Sequence, residues 1–178
     1  MRFDNTKGIP LSDWINDASE KEIMEILYKF GDEKHAKIIA KAIDFERKKY
    51  PITKTSQLSK IIEHIYPERK KKIHPATKTF QAFRIFINNE LEEFESSLVA
   101  AQKVLKKNGI IVTIAFHSLE DSIIKNFFNP SLKSFPKDIP LNNIEDKNFK
   151  CIAKKIRPST DEINKNSRSR SAIMRVFQ

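Results

Sequence analysis

The chain has 178 residues, enough for one medium domain or two small ones and too few for a large multidomain enzyme. Lysine and arginine number 33 against 23 aspartates and glutamates, which gives a formal net charge of +10. An excess of that size favours a polyanionic partner, such as nucleic acid or an anionic membrane surface. With 39% hydrophobic and 31% charged residues, the composition is that of a folded domain and excludes a disordered chain.

Several classes of protein are excluded by simple counts. No apolar run approaches the roughly 18 residues that a membrane span needs, and the first ten residues lack the apolar segment of a secretion signal. The single cysteine, Cys151, excludes an intramolecular disulfide framework and a multi-cysteine zinc site. We therefore expect a cytoplasmic protein with no membrane partner.

Glycine is scarce: Gly8, Gly31 and Gly109 are the three in the chain. A nucleotide-binding turn of the G-x-G-x-x-G kind needs clustered glycines, because the backbone must approach the ligand and turn tightly into a helix. These three glycines are far apart, so the chain has no Gly-rich cofactor loop of the standard kind.

Residues from about 10 to 70 are predicted to be short amphipathic helices that bury their apolar faces on each other. Ser19 and Glu22 have the spacing of a capping box, and Gly31 stands where a helix ends. Asp32 can cap the next helix, and Pro51 ends it. The run RKKK at 69–72 is interpreted either as a solvated linker or as a phosphate-contacting edge.

The pattern changes at His74. Apolar residues from Phe80 to Leu105 recur at intervals of three and four, which predicts one helix over Thr77–Lys107, roughly 45 Å long at 1.5 Å per residue. Ile110–Phe116 is apolar except at Thr113, as expected of a central parallel strand covered on both faces.

A second helix and two late strands complete the predicted sheet unit. The helix follows His117-Ser118 and runs to about Phe128, and an irregular connection occupies 129–148. Further strands are predicted near 149–156 and 171–177. Helix, strand, helix and two late strands resemble one half of an open α/β sheet.

The strongest candidate for chemistry is the run His117-Ser118-Leu119-Glu120-Asp121. It stands at the carboxyl end of a strand, where open α/β sheets place ligands, and at a helix N-terminus with unpaired N–H donors. A structural interpretation is also open, in which Ser118 and Asp121 cap the helix and His117 anchors the turn. A metal site of His117, Glu120 and Asp121 is a weaker alternative, since no second histidine is near.

Cations cluster in the last third of the chain. Arg168 and Arg170 alternate with serines in a polar loop, which suits phosphate contact, although a solvated loop is the alternative. Lys106 and Lys107 add to the positive charge. The candidate RNA-binding residues are Arg84, Lys154, Lys155, Arg157, Arg168 and Arg170.

Three long motifs, in order, carry a resemblance to a known family. They are HPATKTFQAFRIFINNELEEFE at 74–95, IAFHSLEDSIIKNFF at 114–128 and SRSRSAIMRV at 167–176. With the opening MRFD, where that family usually has M-R-M-D, they closely resemble the RsmH (MraW) family. Its members are bacterial methyltransferases that use S-adenosylmethionine to methylate N4 of a cytosine in 16S ribosomal RNA.

The resemblance implies an α/β fold: a helical inserted subdomain, then the C-terminal half of a class I (Rossmann-like) methyltransferase sheet. It implies a remnant of the N-terminal catalytic segment at 1–9, the helical subdomain at 10–73 and the half-sheet at 74–178, with the last strand antiparallel between the other two. The cofactor that the resemblance implies is S-adenosylmethionine. We expect its binding residues to precede Met1, so none is assigned here, and we expect the chain alone to be inactive.

The same resemblance implies that 16S rRNA in the small ribosomal subunit is the partner. His117 is then a candidate base and Ser118 a candidate hydrogen-bond partner of the cytosine. A half-sheet would also leave an edge of 110–116 unpaired, where a homodimer or self-association could form. Two other classes remain open: a non-enzymatic basic RNA-binding module, and a metal-dependent nuclease that uses His117, Glu120 and Asp121.

Overall fold

The computed structural model describes residues 1–66, 74–129 and 149–178. The run RKKK at 69–72 and nearly all of the predicted connection at 129–148 lie outside these ranges. The described residues form two compact units, Met1–Glu90 and Leu91–Gln178. The sequence pattern changes at His74, but the helix that follows His74 packs in the core of the first unit.

The first unit is helical, as its periodicity predicts. It consists of α1 (Leu11–Asp17), α2 (Glu20–Gly31), α3 (Ala36–Arg47), α4 (Thr55–Ile65) and α5 (Thr77–Ile87). The predicted capping box at the start of α2 is present: Ser19 Oγ accepts the Glu22 N–H, and Glu22 Oε2 accepts the Ser19 N–H at 2.7 Å. Every helix but α1 contributes several buried side chains to one core, which includes Ile23, Leu27, Ile39, Ala40, Ile43, Leu58, Ile62 and Phe83.

The end of α2 differs from the expected cap. Gly31 is the last residue of the helix and is buried, and Asp32, with φ of 46°, takes the left-handed position that was expected of glycine. A Cβ at Gly31 would lie 2.9 Å from the backbone oxygen of Lys78 in α5. Gly31 is therefore needed for the close approach of two helices and not for the turn.

The predicted helix over Thr77–Lys107 is wrong: it is two helices, because the chain breaks at Asn88 and Asn89. Asn89 has φ of 49°, which no helical residue adopts. The Asn88 side chain accepts the Phe3 N–H at 2.8 Å and donates to the Met1 carbonyl at 3.0 Å. The Asn88 N–H still donates to the Arg84 carbonyl at 3.1 Å, and its side chain adds polar contacts with distant residues.

The second unit holds the sheet. Its elements are α6 (Glu90–Val104), β1 (Ile111–Ala115), α7 (Ser118–Phe128), β2 (Cys151–Ile156), α8 (Thr160–Lys165), a 3₁₀ helix (Ser167–Ser171) and β3 (Ile173–Phe177). The strand order is β1-β3-β2, with β3 antiparallel to both neighbours. This agrees with the predicted place and direction of the last strand.

One face of this sheet is a core and the other is open. Ile111, Ala115 and Phe177 pack with Leu98 of α6 and Phe128 of α7. On the opposite face Val112 and Ile114 are 55% and 52% exposed, and β1 pairs with β3 alone among the described strands. The expectation of a strand covered on both faces is therefore wrong for the part of the chain that the structure describes.

Candidate functional site

Strand pairing brings the candidate residues to one end of the sheet. Ala115, the last residue of β1, pairs with Ile173, the first residue of β3. Because β2 and β3 are antiparallel, the connection 157–172 between them lies at that same end. The turn with His117 and Ser118, which follows β1, therefore shares this end with the residues of that connection. We call this the carboxyl end, after β1.

The turn is held by a reciprocal cap between His117 and Glu120. His117 Nδ1 accepts the Glu120 N–H at 3.4 Å, and Glu120 Oε2 accepts the N–H groups of Phe116 and His117 at 2.7 and 3.3 Å. The expected cap by Ser118 and Asp121 is therefore wrong by one residue, although His117 does anchor the turn. Acceptance at Nδ1 means that the neutral ring carries its proton at Nε2, which lies 3.4 Å from Glu120 Oε1.

Of the two predicted catalytic residues, Ser118 is the exposed one. It is the first residue of α7, where N–H groups have no acceptor within their own helix. The side chain of His117 is only 12% exposed, so access from solvent differs sharply between the two predicted catalytic residues. The exposed side chains of this turn are those of Phe116 and Ser118.

Asp121 has a structural partner that the sequence analysis missed. Arg175 Nε and Nη2 donate to its two carboxylate oxygens at 2.7 and 3.0 Å, and Lys125 Nζ lies 3.3 Å from Oδ2. The Arg175 guanidinium, with Lys125, holds the pKa of the Asp121 carboxyl below its usual value, against the opposing effect of burial. The available signal was an arginine inside the apolar strand IMRVF, because a buried charge needs a counter-charge.

This ion pair bears on the metal-site alternative. Both carboxylate oxygens of Asp121 accept hydrogen bonds from Arg175. His117 and Glu120 are engaged in the cap of α7. In residues 1–66, 74–129 and 149–178 no group of three His, Cys, Asp or Glu side chains is placed to hold a metal ion.

Five of the six candidate RNA-binding residues lie in the sheet unit, and all five are exposed: Lys154, Lys155, Arg157, Arg168 and Arg170. Lys154 and Lys155 form a β-bulge opposite Arg175, since Ala153 pairs with Val176 and Ile156 with Met174. Lys155 accordingly has φ of 55°. The bulge and the connection that follows it present these cations at the carboxyl end.

Arg168 and Arg170 flank a buried serine. Ser169 is 6% exposed, and its hydroxyl donates to the Asn166 carbonyl at 2.8 Å. This contact fixes the 3₁₀ helix while the two arginines on either side remain at the surface.

Arg84, the sixth candidate, is placed apart from the others. It lies in the helical unit, where Nε and Nη2 donate to the two carboxylate oxygens of Glu90 at 2.7 and 2.9 Å. This bidentate pair spans the break between α5 and α6, which gives Arg84 a structural role that the sequence did not indicate.

The positions of the glycines show whether this chain can form a Gly-rich cofactor loop. Gly8 lies in the N-terminal segment, Gly31 ends α2, and Gly109 precedes β1 at the opposite end of the sheet. None of them follows the carboxyl end of a described strand. The residues of this chain therefore do not fit the Gly-rich loop of a class I methyltransferase cofactor site, and we derive no step through that group.

Membrane insertion receives no support from the helices. Among the described residues, none of the helices combines the length and the apolar character that crossing a bilayer requires.

Comparison with known proteins gives one consistent result. The sequence profile of the MraW methylase family matches residues 1–178. The chain is 47% identical over 185 residues to a protein of Buchnera aphidicola subsp. Cinara cedri, and 44% over 183 residues to one of Alteromonas mediterranea. A protein of Marinomonas sp. is 43% identical over 181 residues. Each of the three is called ribosomal RNA small subunit methyltransferase H.

Coverage is unequal in these comparisons. All of this chain is aligned in each case, but it spans only 60%, 58% and 58% of the three relatives. The comparisons give no support to a homodimer, so self-association through the edge of β1 stays a prediction.

Proposed function

The chain belongs to the MraW methylase family, and we propose that it serves in methyl transfer from S-adenosylmethionine to N4 of a cytosine in 16S ribosomal RNA. The small ribosomal subunit in the cytoplasm is then its partner. The observation that carries the proposal is the match of relatives named small subunit methyltransferases over the whole chain.

The carboxyl end of the sheet supports a substrate site there. Open α/β sheets bind ligands at this end, and here it combines an exposed hydroxyl, a helix N-terminus and long cationic side chains. A base must leave its stack to enter such a site. The Ser118 hydroxyl can donate to or accept from the edge of an extruded cytosine, which would fix the orientation of its exocyclic amine.

His117 is proposed as the group that receives the amine proton. A cytosine amine that gains a methyl group at N4 must lose one proton. In the neutral ring the lone pair stands at Nδ1, the atom that accepts the Glu120 N–H. Proton acceptance by His117 therefore requires this cap hydrogen bond to open, which makes the cap part of the proposed chemistry.

RNA binding is proposed to depend on phosphate contacts at the carboxyl end. Replacing Arg168 and Arg170 with alanine should weaken binding of a single-stranded oligoribonucleotide. The slope of log affinity against log salt should fall by about 0.7 for each phosphate that is no longer neutralised. The matched control replaces two exposed lysines of the helical unit, Lys34 and Lys37, and removes the same charge. Equal slopes for the arginine and control variants would show that the loop is merely solvated.

A transfer assay separates the enzyme from a non-enzymatic RNA-binding module. We expect the 178-residue chain alone to show no micromolar binding of S-adenosylmethionine by calorimetry, because it lacks a fitting glycine loop. Fusion to the residues of the Buchnera relative that lie outside the matched region should restore donor binding and methylation of small-subunit RNA. A fusion protein that binds both donor and RNA without transferring the methyl group would favour the module.

A further inference from the structure

A second basic surface lies at the other end of the sheet. A cleft of about 540 Å³ opens there between the turn before β1 and the residues that precede β2. Its lining includes Lys106, Lys107 and Lys150, with Leu105 and Phe149 as its apolar part. No aspartate or glutamate side chain is among the described residues that line it. We call this the lysine cleft.

The backbone fixes two of these lysines. The Gly109 N–H donates to the Lys106 carbonyl at 2.8 Å, and Asn108 has φ of 63°, so residues 106–109 form a tight turn. A Cβ at Gly109 would lie 2.8 Å from the Lys106 oxygen. Lys106 and Lys107 thus sit on a closed turn whose shape needs glycine at its last position.

The third lysine is tied to the same turn through Gln178. The backbones of Lys150 and Gln178 exchange two hydrogen bonds of 2.8 and 2.9 Å, which extend the β2–β3 ladder by one pair. The Gln178 side chain then donates to the Asn108 carbonyl at 3.3 Å. The two segments that carry the lysines are therefore joined, although they are distant in sequence.

No aspartate or glutamate side chain within the described ranges lies within salt-bridge distance of these three ammonium groups. All three lysines are exposed. Like charges that share one cleft repel each other, so the arrangement favours a bound anion. Phosphate is the anion that lysine ammonium groups commonly contact in nucleic-acid complexes.

From this geometry we infer that the lysine cleft is a second RNA-binding site, which takes phosphates of the same RNA strand away from the reacting base. The inference rests on the proposed function. A strand of five residues spans roughly 17 Å, so the cleft and the carboxyl end are too far apart for one nucleotide to reach both. A polynucleotide can bridge them, and its affinity then contains contributions from both ends.

The test measures binding of a fluorescein-labelled single-stranded oligoribonucleotide between about 50 and 200 mM salt. The variant replaces Lys106, Lys107 and Lys150 with alanine. The control replaces Lys34, Lys37 and Lys41, three exposed lysines of the helical unit, and removes the same charge. The cleft variant should lower the magnitude of the salt slope by about 2, from about 0.7 for each of three phosphate contacts. The control should leave most of the slope intact.

Lysine acylation with mass spectrometry gives a readout that does not depend on affinity. Bound RNA should protect Lys106, Lys107 and Lys150 from the reagent and leave Lys34, Lys37 and Lys41 reactive. The inference would be overturned if the cleft variant matched its control and bound RNA left the cleft lysines unprotected. Weakened binding in the Arg168→Ala, Arg170→Ala variant would then leave the proposed function standing. Absence of salt-sensitive RNA binding by the wild-type chain would overturn both.

Discussion

Replacing Asp121 with asparagine tests the ion pair that joins α7 to β3. Both side chains are 11% exposed, and Arg175 makes two hydrogen bonds to the carboxylate. Removing one partner of a buried pair costs about 3–5 kcal/mol, and asparagine can still accept one hydrogen bond. We therefore expect the free energy of unfolding to fall by about 3 kcal/mol, near the lower limit of that range. This corresponds to roughly a hundredfold faster exchange of the most protected amides.

Hydrogen exchange of peptides from β1 and β3 measures this loss where it occurs. Lys125→Ala is the control: its ammonium is half exposed and also contacts Asp121, so its removal should cost only about 0.3–0.5 kcal/mol. Exchange in D121N that matches the K125A control at neutral pH would refute the reasoning.

The pH dependence of the wild type carries a second check. The pKa of Asp121 is lower in the folded state than its ordinary value of about 3.9 in the unfolded state. The contribution of the ion pair to the free energy of unfolding is thus complete above the unfolded pKa. It is lost as the pH falls through the lower pKa of the folded state. In D121N the free energy of unfolding should therefore fall less than in the wild type when the pH is lowered through this range.

Three further variants test local features of the two units. Ser19→Ala removes the capping box of α2 and should cost about 1 kcal/mol in urea unfolding followed by Trp14 fluorescence, whereas Ser56→Ala at an exposed position of α4 should cost less. Gly31→Ala should lower stability by about 1–3 kcal/mol because its Cβ would meet the Lys78 backbone; unchanged stability would show that α5 shifts without cost. Val112→Thr with Ile114→Thr should reduce self-association, measured in sedimentation as a rise of apparent molecular mass with protein concentration. Both residues are exposed on an open apolar face. Sedimentation of the wild type as a monomer at all concentrations would contradict that expectation.

The elements that could be predicted from sequence are those that local pattern determines. The periodicity around Ile23 and Leu27 requires one buried helical face, and Ser19 with Glu22 marks its start. The apolar run near Ile111 marks a strand in the same way. The direction of β3 came instead from the family resemblance, because no local feature of Ile173–Phe177 distinguishes a parallel from an antiparallel strand.

The errors arose where distant residues decide the local structure. The apolar spacing from Phe80 to Leu105 continues through the break at Asn89, so periodicity alone cannot reveal it. Asn88 donates to the Met1 carbonyl and accepts the Phe3 N–H, and both hydrogen bonds stabilise that break. The role of Asp121 likewise depends on Arg175, which is 54 positions away. Sequence spacing suggested a helix cap because it contains no information about that partner.

The capping roles within the run 117–121 could not be assigned from spacing. Ser118 and Asp121 have the spacing of a capping pair, and so do His117 and Glu120. Spacing cannot choose between them, whereas the structure does, since Asp121 is drawn to Arg175 and Glu120 remains to accept the backbone N–H groups. The ion pair therefore determines which residue caps α7, and through it the orientation of His117.

Substitution of His117 separates its capping role from the proposed role as a base. Asparagine is a good N-cap and can accept the Glu120 N–H, but it cannot take up a proton near neutral pH. In the fusion protein that transfers the methyl group, H117N should fold with wild-type stability and lose about 100-fold or more in kcat. H117A should lose the cap as well, with a further cost of about 1 kcal/mol in stability.

The companion variant Ser118→Ala removes the proposed hydrogen bond to the cytosine and leaves the His117 cap unchanged. The loss of a neutral hydrogen bond of about 0.5–1.5 kcal/mol predicts a decrease in kcat/KM of roughly 3- to 10-fold. The pH profile of kcat should lose its lower limb in H117N and keep it in S118A, since only the first variant removes the proposed base. An H117N protein with the wild-type rate and an unchanged pH profile would show that His117 acts only as the cap of α7. The proton would then leave to solvent, and Ser118 would be the remaining side chain of the turn available to the base.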